Sequence, residues 1–330
     1  MLTRRTFVAS TAAAGATAAA AVGAHAQDTV MTPLLERVRI ATIGAPDLAA
    51  VERDYTAWLD QKVRERGTVD AATAASWGAP ASAGRPYVLM STDAHPDVYI
   101  RAVEIDAVPG YKALTTWGWN AIEIIIDDID ALYKELQNSP FRFIGQPASL
   151  GVRYPTIHAM QVVGPAQEVL YLTTEQGDRS KSSLPLPRGP VGRPFIMVMA
   201  SGDVAASRAW WTETFAMKPQ AINESLSGLA RTAQNAPADA IYTISLVYLE
   251  QHGNMIQLDG YPAGTEPRPH ADGQLPPGVA MTSFAVANLG AIKTEFVAPP
   301  AHLPGLAYGG HRAATAIGPG GTLVELIESA

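Results

Sequence analysis

Cysteine is absent from all 330 residues. That excludes disulfides, thiolate metal sites and a cysteine nucleophile, so packing alone must hold the fold together. Basic side chains form no cluster able to neutralise a row of phosphates, and nucleic acid is not an expected partner. Beyond the first few dozen residues, no run is long and apolar enough to span a bilayer. P-loop, dinucleotide glycine fingerprint and GxSxG elbow are all missing, and the seven histidines make no HxxxH spacing.

What is present begins with MLTRRTFVASTAAAGATAAAAVGAHAQ. The twin arginines Arg4 and Arg5, a short Ala-rich stretch and the small-residue site Ala24-His25-Ala26 predict a Tat export signal over residues 1–26. The expected destination is the periplasm or another exported location, with the Tat machinery as a partner. The full chain has 24 basic and 31 acidic side chains, a net charge of −7; removal of Arg4 and Arg5 takes it to −9.

A length of 330 residues at 47% hydrophobic content suffices for two domains of about 150 residues. Internal repetition supports that division. PDLAAVERDYTAWLDQK (46–62) and GDVAASRAWWTETFAMK (202–218) share an opening Asp47 or Asp203, an aromatic Tyr55 or Trp211, and a closing Lys62 or Lys218. Each reads as a capped helix after a β-prone run. AIEIIIDDIDALYKELQ (121–137) is a third copy, and MTSFAVANLGAIKTEF (281–296) a weaker fourth. Closing strands follow at 98–105, 168–174, 254–261 and 322–328. Two of them grow from the matching stretches GPAQEVLYLTTE (164–175) and GPGGTLVELIES (318–329). The Pro-, Gly- and Ser-rich segment 175–194 reads as a linker, giving domains at 27–184 and 185–330.

Four units of strand, Asp-led helix and closing strands, with Gly-Pro turns, resemble the vicinal oxygen chelate superfamily, which includes glyoxalase I, extradiol dioxygenases and bleomycin-resistance proteins. The resemblance implies an α+β fold of repeated βαβββ modules, paired into two glyoxalase-like domains with cup-shaped mixed sheets. Metal-dependent members carry His in the opening strand, about seven residues before the helix-start Asp, and Glu in the closing strand. Those positions fall here on Ile40, Ala121, Ile196 and Met281, and on Arg101, Tyr171, Gln257 and Glu325. Only Glu325 keeps the ligand type, and a structural hydrogen-bond acceptor is the favoured role for it. No metal ligand set and no cofactor is therefore expected, although a divalent ion held by other ligands stays open.

If modules one and two share a cup, Arg101, Glu123 and Tyr171 converge in it as oxyanion donor, general base and proton relay. Equally, Arg101 and Glu123 form a buried ion pair with no substrate. His158, in TIHAMQVV, is an alternative base. Trp117, Trp119 and Asn120, just before an opening strand, are candidate substrate-binding residues at the cup mouth, or simply seal the sheet edge. The expected function is a metal-independent lyase or isomerase acting on a small carbonyl or phenolic compound. A non-catalytic protein that sequesters a small-molecule ligand, and a metal-dependent glyoxalase or dioxygenase with unrecognised ligands, are the alternatives. A homodimer is left open.

Overall fold

The computed structural model describes residues 32–225 and 228–329. The segment expected to be the Tat signal, 1–26, lies outside the described residues.

Each predicted unit is present. Module one comprises β1 (Leu35–Ala45), α1 (Leu48–Trp58), β2 (Lys62–Thr68), α2 (Ala71–Ser76), β3 (Pro86–Ser91) and β4 (Tyr99–Glu104). Module two comprises β5 (Gly118–Ile126), α3 (Ile129–Leu136), β6 (Arg142–Ser149), β7 (Ile157–Val163) and β8 (Val169–Glu175). Module three comprises β9 (Val191–Ser201), α4 (Val204–Phe215), β10 (Lys218–Pro219), β11 (Asn223–Ser225), α5 (Gly228–Ala233), β12 (Tyr242–Tyr248) and β13 (Met255–Gly260). Module four comprises β14 (Gly278–Val286), β15 (Ala301–His302), β16 (Arg312–Ile317) and β17 (Leu323–Glu328).

The helix starts follow from side-chain capping. Asp47 accepts from the Ala50 N–H, Asp128 from Asp130 and Ala131, and Asp203 from Ala206, which satisfies donors that the first helical turn leaves free. Module four departs from the expectation. Asn288 bonds the Gly290 N–H but only a 3-10 turn, Leu289–Ala291, follows it. With Gly290 inside the first turn the segment loses helix propensity where nucleation is most costly.

The matching Gly-Pro stretches build the same turn. Gly164 N–H donates to Glu168 O and Gln167 N–H to Gly164 O; Gly318 N–H donates to Thr322 O and Gly321 N–H to Gly318 O. The third residue after each glycine is left-handed, Gln167 at φ 62° and Gly321 at φ 75°. Tyr171 and Glu325 thus occupy equivalent places in β8 and β17.

The modules pair in an order that the linear sequence does not suggest. One sheet runs β15-β16-β17-β14-β1-β4-β3-β2, and the other β10-β12-β13-β9-β5-β8-β7-β6, with β11 beside β12. Module one therefore shares a sheet with module four, through antiparallel β1 and β14, and module two with module three, through antiparallel β5 and β9. The two paired sheets are as expected, but they do not coincide with the halves 27–184 and 185–330. The linker joins two modules of a single sheet.

The faces turned away from the cups share one core. Val38, Ile43, Phe284 and Leu326 of the first sheet pack with Trp119, Ile122, Met197 and Met199 of the second, and with Tyr55, Leu132 and Trp211 from the helices. Trp119 lies 6.0 Å from Trp211 and 6.2 Å from Phe284, centroid to centroid, the separation at which tilted aromatic pairs attract.

Candidate active site

Strand register decides which side chains meet in each cup. In the first sheet Arg101 on β4 lies beside Thr42 on β1, and Glu325 on β17 beside Ser283 on β14. In the second, Tyr171 lies beside Glu123 and Gln257 beside Val198. The opening-strand positions that face the closing-strand set are thus Thr42, Glu123, Val198 and Ser283. The expected Ile40, Ala121, Ile196 and Met281 lie two residues earlier on the same strands, because the facing position stands five residues before the helix cap and not the seven that the resemblance implied.

The same topology corrects the expected convergence. Arg101 belongs to the cup of modules one and four, whereas Glu123 and Tyr171 belong to the other. Arg101 pairs with Glu325, Nη2 to Oε2 at 3.0 Å, and not with Glu123. His158 pairs with Thr174 across β7 and β8, one residue out of phase with the Gln161–Tyr171 pair. Its side chain consequently lies on the face opposite Tyr171. Trp119 is turned into the core by a bulge between Trp119 and Ala121, and its Nε1 donates to Leu323 O at 2.8 Å. Asn120 accepts from Arg268 Nη2 at 2.9 Å and donates to Thr116 O. Trp117 donates to Thr265 Oγ1 and walls a separate surface cleft with Trp210. None of these three residues lines the cup that holds Arg101.

Around Arg101 the polar groups form a closed network. Its Nε and Nη2 both donate to Thr42 Oγ1, at 3.1 and 3.0 Å, and Nη1 donates to the Tyr308 hydroxyl at 3.0 Å. Tyr308 passes its own proton to Glu325 Oε1 at 2.8 Å, and Trp77 Nε1 donates to that same oxygen at 2.6 Å. The Ser283 hydroxyl donates to Oε2. Glu325 therefore accepts four hydrogen bonds, which is the full capacity of a carboxylate. Its expected structural role is what the geometry gives it.

Arg101 also stacks over the Trp77 ring, 4.5 Å from its centroid, a contact worth more in a desolvated site. Burial opposes its charge, but the Tyr308 oxygen and the Glu325 carboxylate outweigh burial and hold the guanidinium above its ordinary value. Burial, then the Glu325 charge, pushes the Tyr308 phenol far upward. Tyr308 thus stays protonated and acts as a donor. Guanidinium offers five N–H donors, and the four bonds just described leave one Nη1 hydrogen without a partner among the described residues.

Beside this network lies a cavity of about 130 Å³, lined by Arg101, Trp77, Tyr308, Tyr87, Leu89 and Val69, and also by Glu65, Asp70, Thr73 and Gly305. The connections between the second and third strands of modules one and four supply most of it. Trp77 follows α2, a short helix capped by Asp70. Tyr308 lies in the segment between β15 and β16. Gly305 has φ 107°, a conformation open to glycine alone, and an added Cβ would sit 3.5 Å from the Tyr87 hydroxyl and 3.6 Å from Glu65. Glu65 Oε2 accepts the Leu306 N–H at 2.9 Å. Burial and the neighbouring Glu65 push Tyr87 up to about 12.

Sequence reasoning missed Trp77, Tyr308, Glu65 and Tyr87. The available signal was the aromatic before a glycine pair, Tyr308-Gly309-Gly310.

The second cup differs in kind. Its Glu123 accepts from Thr173 Oγ1 at 2.7 Å and Asp259 from Gln257 Nε2 at 3.0 Å, and neither has an ion-pair partner among the described residues. Burial pushes each carboxyl up to about 7. The Tyr261 hydroxyl is buried with no hydrogen-bond partner among the described residues. Leu114, Val169, Leu184, Phe195 and Val198 pack the rest of this face.

A divalent metal of the kind the fold family implies does not fit the first cup. The four family positions present one carboxylate, two hydroxyls and a guanidinium that already occupies the cation's place. Among the described residues no three His, Asp or Glu side chains come together as ligands.

With the geometry in place, comparison with solved structures identifies the architecture. Glyoxalase I from Zea mays superposes with a TM-score of 0.56 over 88% of this chain and 92% of its own, at 15% identity. A proposed dioxygenase from Bacillus subtilis gives a TM-score of 0.58 over 90% and 86%, at 11% identity. The chain has the vicinal oxygen chelate fold, with four modules paired into two cups. No protein-family model matches the sequence, and no curated protein matches it significantly.

Proposed function

We propose that the cup of modules one and four is the active site of a metal-independent lyase or isomerase that acts on a small carbonyl or phenolic compound. The supporting observation is the buried Arg101, one of whose N–H groups has no partner among the described residues and which lines a cavity together with Glu65. In this reading Glu65 removes a proton from the carbon next to a carbonyl, and the electron pair moves to the carbonyl oxygen. Arg101 holds the resulting oxyanion, backed by Tyr308 and Glu325. With a double bond beside the acidic carbon the pair is shared along a dienolate and the proton returns at its far carbon, which is isomerisation, or the carbonyl re-forms as a β-substituent leaves with its bonding pair, which is elimination. The Trp77 and Tyr87 rings favour a flat or unsaturated substrate.

The test is proton exchange in D2O with a panel of small ketones and phenols, using protein treated with chelator and followed by NMR. Glu65→Gln is expected to lower deuterium incorporation by about 100-fold with ligand affinity largely kept. Binding without any exchange would instead favour a sequestering protein. Dependence of exchange on one removable metal ion per chain, or full activity in Glu65→Gln, would sink the proposal.

Export is part of the same reading. Arg4→Lys with Arg5→Lys is expected to leave unprocessed precursor in the cytoplasm, judged by cell fractionation; normal processing of that variant would point to another route.

A further inference from the structure

Away from both cups, the linker meets the two sheets in a cleft of about 330 Å³. Arg37 on β1, His95 and Asp97 in the β3–β4 connection, Arg188 and Arg193 from the linker and β9, and His252 in the β12–β13 turn all line it. Three guanidinium groups thus face one carboxylate, in a chain whose acidic residues outnumber its basic ones.

That one carboxylate is already engaged. Asp97 Oδ2 lies 2.7 Å from Arg37 Nη2 and 3.9 Å from Arg39 Nη1. Arg193 uses Nη1 on Asn254 Oδ1, at 2.9 Å, and on Pro194 O, and its remaining N–H groups have no partner among the described residues. Arg188 makes no hydrogen bond or ion pair among them at all. Arg188 also adopts φ 58°, a left-handed conformation that costs an arginine roughly 1 kcal/mol or more. Packing around the linker holds it there: the neighbouring Pro187 carbonyl bonds to the buried His95 Nε2 at 2.8 Å.

We propose that this cleft binds a small phosphate- or sulfate-bearing organic molecule through its tetrahedral oxyanion, held between Arg188 and Arg193. Guanidinium forks match two oxygens of such a group at once. The cleft exceeds the size of one phosphate, and Pro185 with the half-exposed Leu186 supplies an apolar rim for the organic remainder. Mutual repulsion within the cluster agrees with this. Burial, then Arg37 and Arg188, lowers Arg193 to about 10, and burial with Arg193 and Arg188 lowers His95. A bound oxyanion relieves that repulsion.

The experiment is calorimetric titration of the purified protein, at constant ionic strength, with phenyl phosphate, phenyl sulfate, inorganic phosphate and sulfate. Saturable binding of a phenyl ester is expected, tighter than that of the inorganic ion carrying the same group. Arg188→Ala, whose side chain is exposed, should weaken it by about tenfold or more, the scale of a charged hydrogen-bond pair. Arg193→Gln, which can keep the bond to Asn254, should do the same, and an unchanged melting temperature would show that the fold survives. The phosphate and sulfate arms separate the two sources of the oxyanion. Equal or stronger binding of the inorganic ions would overturn the organic ligand, and no saturable binding, or binding unchanged in both variants, would overturn the site.

Discussion

Arg101→Met is expected to lower stability by about 3–5 kcal/mol, the cost of leaving one member of a buried ion pair alone. Glu325 is fully buried, and the substitution removes its one cationic partner while Trp77, Tyr308 and Ser283 still point donors at it. Thr42 loses the donors of two hydrogen bonds as well. The double variant Arg101→Met with Glu325→Leu should recover part of the loss, because an apolar pair of similar volume often replaces a buried ion pair without large cost. Recovery should be incomplete, since the indole and phenol donors then lack an acceptor. Urea unfolding of wild type, both single variants and the double variant measures the cycle. Additive losses in the double variant would show that the two charges do not stabilise one another. Arg101→Lys belongs in the same series: an ammonium cannot reach Thr42, Tyr308 and Glu325 together, and should fall between wild type and methionine.

How much of this was legible in the sequence depends on whether the determining interaction is local. Asp47, Asp128 and Asp203 cap helices within three residues of themselves, so the helix starts were readable. The Gly-Pro turns close over four residues, and both copies were recognisable. Module pairing is another matter. β1 and β14 meet across more than two hundred residues, and all four opening strands are apolar runs with little to distinguish one partner from another. Sequential modules were the natural assumption, and from it came the placement of Glu123 and Tyr171 with Arg101. Trp119 failed for a smaller reason: one bulge reverses its face, and Gly118 at the start of the strand does not by itself say that a bulge follows. Trp77 and Tyr308 lie in the connections between second and third strands, whose lengths and sequences differ from module to module, so equivalence between modules does not single them out.

Stability is expected to fall as pH rises from about 5 to about 7, the reverse of ordinary acid denaturation. Burial pushes Glu123, Glu168 and Asp259 each up to about 7. In the unfolded chain these carboxyls ionise near 4. Between those values the native protein binds protons that the unfolded chain has released, so the slope of unfolding free energy with pH is negative. The neutral form contributes its full stability below the unfolded pKa, and that contribution is gone once pH passes the folded pKa. With each pKa unit worth about 1.4 kcal/mol, three such groups carry several kcal/mol across the interval. His95 opposes them: burial lowers its pKa, so its contribution is lost as pH falls below about 6.5. Five acids whose pKa is lowered, Glu52, Asp106, Glu175, Asp178 and Glu328, act below this window. Glu123→Gln and Asp259→Asn separate the terms, because each removes one titration and leaves His95 untouched. Chemical denaturation at pH 5 and pH 8 should show the wild type losing more stability on that rise than either variant, and the double variant losing least. Equal pH dependence in all four proteins would mean that these carboxyls are ionised in the native state, each with a counterion supplied from outside the chain.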